Sequence, residues 1–166
     1  MRFWRLSSSK SVTAAFSGTG SLMAGGRWHP RGVAVVYVSS SLSLAALEIL
    51  VHVDAHQLKT PYHVFSVDVP DTLVETPSLA ILPSDWRAPR RSSNARAFGA
   101  AWAASCRSLA LQLPSVIIPE ETNAILNPRH PAFTVLSIST PRIFRFDKRL
   151  TEPSTRPAPH LRRRPR

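Results

Sequence analysis

The stretch Val33–His52, VAVVYVSSSLSLAALEILVH, constrains the fold more than any other part of the chain. Its first six residues are apolar and rich in β-branched side chains, which predicts a buried strand over Val33–Val38. The serines between Ser39 and Ser43 are N-cap candidates, because a serine oxygen accepts from the free N–H groups of a first helical turn. A helix is therefore expected from Leu44 to about His52.

The remaining pattern agrees with a mixed architecture. Arg2–Leu6 is a short strand candidate in an otherwise Ser/Gly-rich opening of thirty residues. Residues Tyr62–Val69 predict a second strand, with His63, Phe65, Val67 and Val69 on one face. Residues 70–91 contain Pro70, Pro77, Pro83 and Pro89 and read as a long irregular connection, the kind that often carries function. An alanine-rich helix is expected from Ser93 to about Leu111, with Phe98, Trp102 and Cys106 four residues apart. Val116–Ile118 reads as a short strand, PEETNAILNPRHP as a loop, and Phe133–Ser139 and Ile143–Phe146 as closing strands. Repeats, regular βαβ alternation and a Gly-rich dinucleotide fingerprint are missing. The expectation is α+β, a compact mixed sheet of at least four strands with flanking helices.

Charge bears on partners. There are 21 Lys and Arg against 10 Asp and Glu, a formal +11. Residues 151–166, TEPSTRPAPHLRRRPR, hold five of the arginines and one glutamate, and 16 basic against nine acidic side chains leave residues 1–150 at +7. The tail has too little apolar surface to offset the entropy of ordering, so it is expected to be disordered, with one folded domain over 1–150. A basic domain favours an anionic partner, whether a phosphorylated small molecule, a nucleic acid or an acidic protein. The opening MRFWRLSSSK turns polar at once and does not read as an export signal. A single cysteine, Cys106, excludes an internal disulfide framework. With no apolar run long enough to span a bilayer, a cytoplasmic protein is expected.

Three places ask for a chemical explanation. Glu48 shares a helical face with Leu44 and Val51, and a carboxylate there must be paired or lie in a cleft; it fits either the edge of an amphipathic helix or a functional position. In GGRWHPRG, Arg27 and Arg31 flank Trp28. Guanidinium forks grip phosphate or carboxylate oxygens and glycines let a ligand approach, but the stretch taken alone reads first as a solvated basic turn. Around Ser115 and Asn123–Pro131, the Asn and Pro residues read as turn formers. Ser115 lacks the surroundings of an activated hydrolase nucleophile, and the six histidines lack zinc-ligand spacing.

Taken in order, Trp4-Arg5, GGRWHPRG, VVYVSSSLSLAALEILVH, LPSDWR, FGAAW, LPSVIIPEETNAILNPRHP and FRFDKRL resemble the RES domain over about residues 2–150. That family takes its name from an arginine, a glutamate and a serine, matched here by Arg27, Glu48 and Ser115. The resemblance implies a fold similar to that of ADP-ribosyltransferases. It also implies a toxin of a type II toxin–antitoxin system that consumes NAD, breaking the nicotinamide–ribose bond with water, phosphate or a protein as acceptor.

On this resemblance Arg27, Glu48 and Ser115 are the catalytic set, and Arg5, Arg27, Tyr37, Glu48 and Ser115 bind NAD. Glu48, paired with an arginine, would stabilise positive charge on the ribose. Arg27 and Arg5 would hold pyrophosphate or ribose, Tyr37 would stack on nicotinamide, and Ser115 would hydrogen-bond in the same pocket. NAD is then a substrate and no metal is required. The implied partners are an Xre-like antitoxin covering the cleft and a second copy of the chain or a larger toxin–antitoxin complex, with DNA reached only through the antitoxin and no membrane. One departure is Ala100, which follows Gly99 where the family usually has aspartate. A basic nucleic-acid-binding protein is the competing class, but neither a helix-turn-helix nor an RNA-recognition aromatic motif is present.

Overall fold

A computed structural model describes residues 1–54, 56–88 and 92–150; the predicted disordered tail at 151–166 lies outside the described residues. Along the chain run β1 (Arg2–Ser7), α1 (Val12–Phe16), α2 (Thr19–Ala24), β2 (Val36–Ser39), α3 (Leu42–Leu50), β3 (Tyr62–Asp68), β4 (Val74–Glu75), α4 (Ser93–Ser105), β5 (Ala110–Pro114), β6 (Thr122–Leu126), β7 (Ser137–Ile138) and β8 (Arg142–Phe144). The α+β expectation holds. The described strands form one sheet in the order β4-β5-β6-β2-β1-β3-β7, and β8 also pairs with β3. Only β4 and β5 pair in parallel; the other described pairings are antiparallel.

The sheet is buried on both faces, which is why its strands read as near-continuous apolar runs. Phe3, Val36, Val38, Phe65, Val67, Ala124 and Leu126 pack with Phe16 of α1 in one core cluster. Residues in alternation with these enter two others. Leu111, Leu113 and Ile125 pack with Trp28 and Trp102, while Leu6, Tyr62 and Val64 pack with Ala45 of α3 and Phe146. Tyr62 and Val64 thus bury the face of β3 opposite Phe65.

Register exposes a weak seam near the middle. Strands β1 and β3 pair over six positions and β2 and β6 over four, but β1 meets β2 only at Trp4 and Ser39.

Several boundaries differ from the sequence reading. The valine run enters the sheet only from Val36. Helix α4 stops at Ser105 because Cys106 adopts a left-handed conformation (φ 47°), and the apolar residues that seemed to prolong the helix form β5. Val116–Ile118 is not a strand: the Ser115 hydroxyl accepts from the backbone N–H groups of Ile117 (3.1 Å) and Ile118 (3.2 Å), closing a turn. Residues Thr122–Leu126, read as loop, form β6 in the interior of the sheet, where Ala124, Ile125 and Leu126 are buried. Toward the C-terminus, Pro131–Val135 is a 3-10 turn ahead of the two-residue β7, which shortens the strand expected at Phe133–Ser139. The long connection at 70–91 contains β4, held to β5. Among the described residues no helix is long and apolar enough to cross a membrane.

Candidate active site

Where β1 and β2 part, a cavity of about 550 Å³ opens, lined among others by Arg5, Arg27, Tyr37, Glu48, His52 and Asn123. Strand β1 brings Arg5, β2 brings Tyr37, α3 brings Glu48 and His52, and β6 brings Asn123. Helix α3 is started by Ser41, whose hydroxyl accepts from Leu44 N–H at 3.0 Å. That cap sets the phase of the helix, and Glu48 falls two turns later on the cavity side.

The Glu48 carboxylate is held by neutral donors. The Asn123 amide nitrogen donates to Glu48 Oε1 at 2.6 Å, and the Ser115 hydroxyl donates to the same oxygen at 3.3 Å. Among the described residues no arginine forms an ion pair with Glu48, so the expected guanidinium partner is replaced by an amide and a hydroxyl. The Asn123 amide is itself oriented, because the Ser39 hydroxyl donates to its Oδ1 at 2.7 Å from the register partner on β2. Ser115 is fully buried and touches Glu48 from behind.

Arg5 spans the seam. Its Nη1 donates to the Tyr37 carbonyl oxygen at 2.7 Å, a bond that replaces part of the missing β1–β2 ladder. Its Nε is buried with no hydrogen-bond partner among the described residues, and burial pushes the guanidinium down to about 10. An unsatisfied buried donor is costly, and a guanidinium beside an open cavity is a natural anchor for an anionic ligand.

The loop GGRWHPRG forms the adjoining wall. Trp28 is buried and stacks on Trp86, with ring centroids 6.1 Å apart. Arg27 lines the cavity, but its Nη1 is engaged with the carbonyl oxygens of Trp86 (2.9 Å) and Ala88 (3.0 Å), clasping this loop to the 82–88 turn. Arg31 is exposed. His29 is buried and faces the Tyr37 hydroxyl at 3.0 Å. Gly26 leaves room for this pair: a Cβ on it would lie 2.5 Å from the Tyr37 hydroxyl and 2.6 Å from His29 Cε1, so one of the two rings would have to move.

The structure therefore gathers Arg5, Arg27, Tyr37 and Glu48 around one cavity and sets Ser115 against Glu48. Asn123 and His29 were not singled out by the sequence. Asn123 sat among turn formers, and no local pattern marks a contact to a glutamate 75 residues away.

Fold and cavity together define a class: a mixed-sheet α+β domain whose sheet opens into a cleft, with a fixed carboxylate and a buried guanidinium in it. Residues 2–147 match the RES domain, and the chain belongs to that family. It is 41% identical over 153 residues to "Toxin Res" of Photorhabdus laumondii, covering 92% of this chain and 98% of that one. It is 37% identical over 153 residues to "Prs ADP-ribosylating toxin" of a Sphingobium species, covering 89% and 95%. Among solved structures it resembles one determined for the MbcT–MbcA toxin–antitoxin complex of M. tuberculosis, with TM-score 0.67, 20% identity, and 87% and 84% of the two chains covered. That likeness concerns the fold.

Proposed function

We propose that this protein is the toxin of a toxin–antitoxin pair and acts by breaking the nicotinamide–ribose bond of NAD in the cytoplasm. The observation that carries the reading is the Glu48 carboxylate, fixed by Asn123 and Ser115 in a cleft that also holds a buried guanidinium. Curated relatives named as toxins, one of them ADP-ribosylating, support it.

The chemistry follows from charge. As the C1′–N bond lengthens, its electron pair returns to the nicotinamide ring and neutralises it, while the ribose takes up oxocarbenium character. A carboxylate held beside C1′ stabilises that charge. The leaving group is already cationic, so no metal or general acid is needed to expel it. Arg5 supplies the positive charge that a pyrophosphate requires, with Arg27 on the adjoining wall, and the Tyr37 ring offers a face for the nicotinamide. Ser115 acts through Glu48, since its hydroxyl proton is directed at the carboxylate and its oxygen is occupied by two backbone N–H groups. Water adding at C1′ gives ADP-ribose and releases a proton, phosphate gives the corresponding ADP-ribosyl phosphate, and a protein nucleophile gives ADP-ribosylated protein.

A cavity open to solvent can be closed by a partner, and we assign that role to an Xre-like antitoxin seated over the cleft, with the toxin itself paired or in a larger complex. The decisive experiment is chromatography of nicotinamide released from NAD by wild type and by the near-isosteric Glu48→Gln. A loss of about 100-fold or more is expected for a transition-state contact of this kind; equal rates would end the proposal. Mass spectrometry of the products with and without phosphate identifies the acceptor.

A further inference from the structure

His29 is buried, polar and unused by the chemistry above. Its two ring nitrogens have different neighbours. Nε2 lies 3.1 Å from the carbonyl oxygen of Ser21, which can only accept, so Nε2 carries a hydrogen. Nδ1 lies 3.0 Å from the Tyr37 hydroxyl. In the neutral imidazole Nδ1 is then the acceptor, and Tyr37 donates its phenolic proton to it. The phenolic oxygen meanwhile accepts from the Trp28 N–H at 3.2 Å, so the hydroxyl both gives and receives.

The acceptor behind His29 is also fixed. The Ser21 hydroxyl lies within donating distance of the carbonyl oxygens of Gly18 (2.7 Å) and Val35 (2.6 Å) and accepts from the Val35 N–H at 2.8 Å, tying α2 to the chain just before β2. A chain of polar contacts thus runs from Val35 through Ser21 and His29 to the Tyr37 hydroxyl. At the other end of the same residue, Arg5 grips the Tyr37 carbonyl. The Tyr37 ring is held at its tip by a histidine and at its backbone by an arginine, and both the ring and His29 line the cavity. Gly26 closes the arrangement by leaving room for both side chains.

We propose that His29 is a positioning residue for the nucleotide site: as the Nε2–H tautomer it accepts the Tyr37 hydroxyl proton and sets the ring plane that the substrate meets. This rests on the reading of the cavity as the NAD site. His29 does not touch the reacting atoms, and its influence passes through Tyr37.

Two measurements on the full-length protein test it. A long-range nitrogen–proton correlation spectrum of the imidazoles is expected to show His29 as the Nε2–H tautomer, with Nδ1 unprotonated and its resonance moved in Tyr37→Phe. An Nδ1–H or doubly protonated ring would overturn the proposal whether or not NAD is the substrate. In nicotinamide-release kinetics, His29→Leu is expected to lower kcat/KM about fivefold or more, the weight of one hydrogen bond, mainly through KM. His29→Asn places an amide oxygen near the Nδ1 position and recovers most of that loss. In the Tyr37→Phe background His29→Leu adds less than about twofold, because the bond it removes is already gone. Equal losses in both backgrounds would show that His29 serves folding alone and refute the proposal. A wild type that releases no nicotinamide would refute the NAD reading and leave the tautomer spectrum to decide the His29–Tyr37 bond.

Discussion

Replacing Asn123 with alanine removes two side-chain hydrogen bonds, the one it donates to Glu48 and the one it accepts from Ser39, and the catalytic cost of losing the first can be estimated. The amide nitrogen donates to Glu48 Oε1 at 2.6 Å, a short bond to a charged acceptor. Such bonds contribute about 1.5–3 kcal/mol, which corresponds to about 10- to 150-fold in rate if the contact matters fully in the transition state. The Ser115 hydroxyl remains on the same oxygen at 3.3 Å, a longer and weaker restraint, so the lower half of that range is expected. We expect kcat for nicotinamide release to fall about 10- to 50-fold in Asn123→Ala, on the scale set by one charged hydrogen bond. Ser39→Ala should cost less, since the amide stays in place and loses only the 2.7 Å bond that orients it. Ser115→Ala should divide differently, with a larger share in stability, because the N–H groups of Ile117 and Ile118 lose their acceptor. Steady-state kinetics with urea unfolding on the same preparations separates the two quantities. A folded Asn123→Ala enzyme within twofold of wild type, or a Ser39→Ala enzyme more damaged than it, would refute the reasoning.

Two further perturbations have signs that the structure determines. In Gly99→Ala the new methyl would press into the Trp28 carbonyl oxygen and lie 2.9 Å from the Trp28 carbonyl carbon. The usual helical gain of about 0.5–1 kcal/mol for alanine is outweighed by overpacking of about 1–3 kcal/mol; urea unfolding should show net destabilisation, and a more stable variant would contradict it. The Arg107 guanidinium donates twice to Glu75, at 2.7 Å each, and holds its carboxyl below the usual 4.5. Because the folded value is the lower one, this stabilisation is present above the unfolded pKa and lost as pH falls through the folded one. Glu75→Gln should therefore lower Tm at neutral pH, with the difference from wild type closing as pH falls below the usual carboxylate range; a difference constant with pH would argue against the pair.

The sequence was most readable where one local rule governs. Tyr62–Val69 reads as a strand because β-branched and aromatic residues alternate through it, and α3 reads as a helix because a serine cap precedes an apolar run. Strands β5 and β6 were hidden for the opposite reason. The segment ALQLP follows an alanine-rich helix whose end depends on Cys106 turning left-handed, and TNAIL is flanked by Pro119 and Pro128, so turn chemistry dominates its surroundings. At the site, Glu48 stood out as a carboxylate in an apolar helix, and the family resemblance gathered Arg5, Arg27, Tyr37 and Ser115 near it. The partner of Glu48 could not be read locally. An arginine was the chemically obvious choice, yet the register of β2 against β6 delivers an asparagine, and register is a property of the assembled sheet. Arg27 shows the same limit: its donors were evident, but not that Nη1 would be occupied by the carbonyls of Trp86 and Ala88.

The seam between β1 and β2 bears on when the protein can become active during its synthesis. Strand β1 is made first, yet its ladder partner β3 begins at Tyr62, and β2 acquires its long ladder only when β6 emerges at Thr122–Leu126. The amide that steadies Glu48 arrives on that same strand. A ribosome-bound chain shorter than about 126 residues thus carries the glutamate without its support or the completed cleft. The carboxylate and the amide that holds it therefore come together only once the chain through β6 has been made.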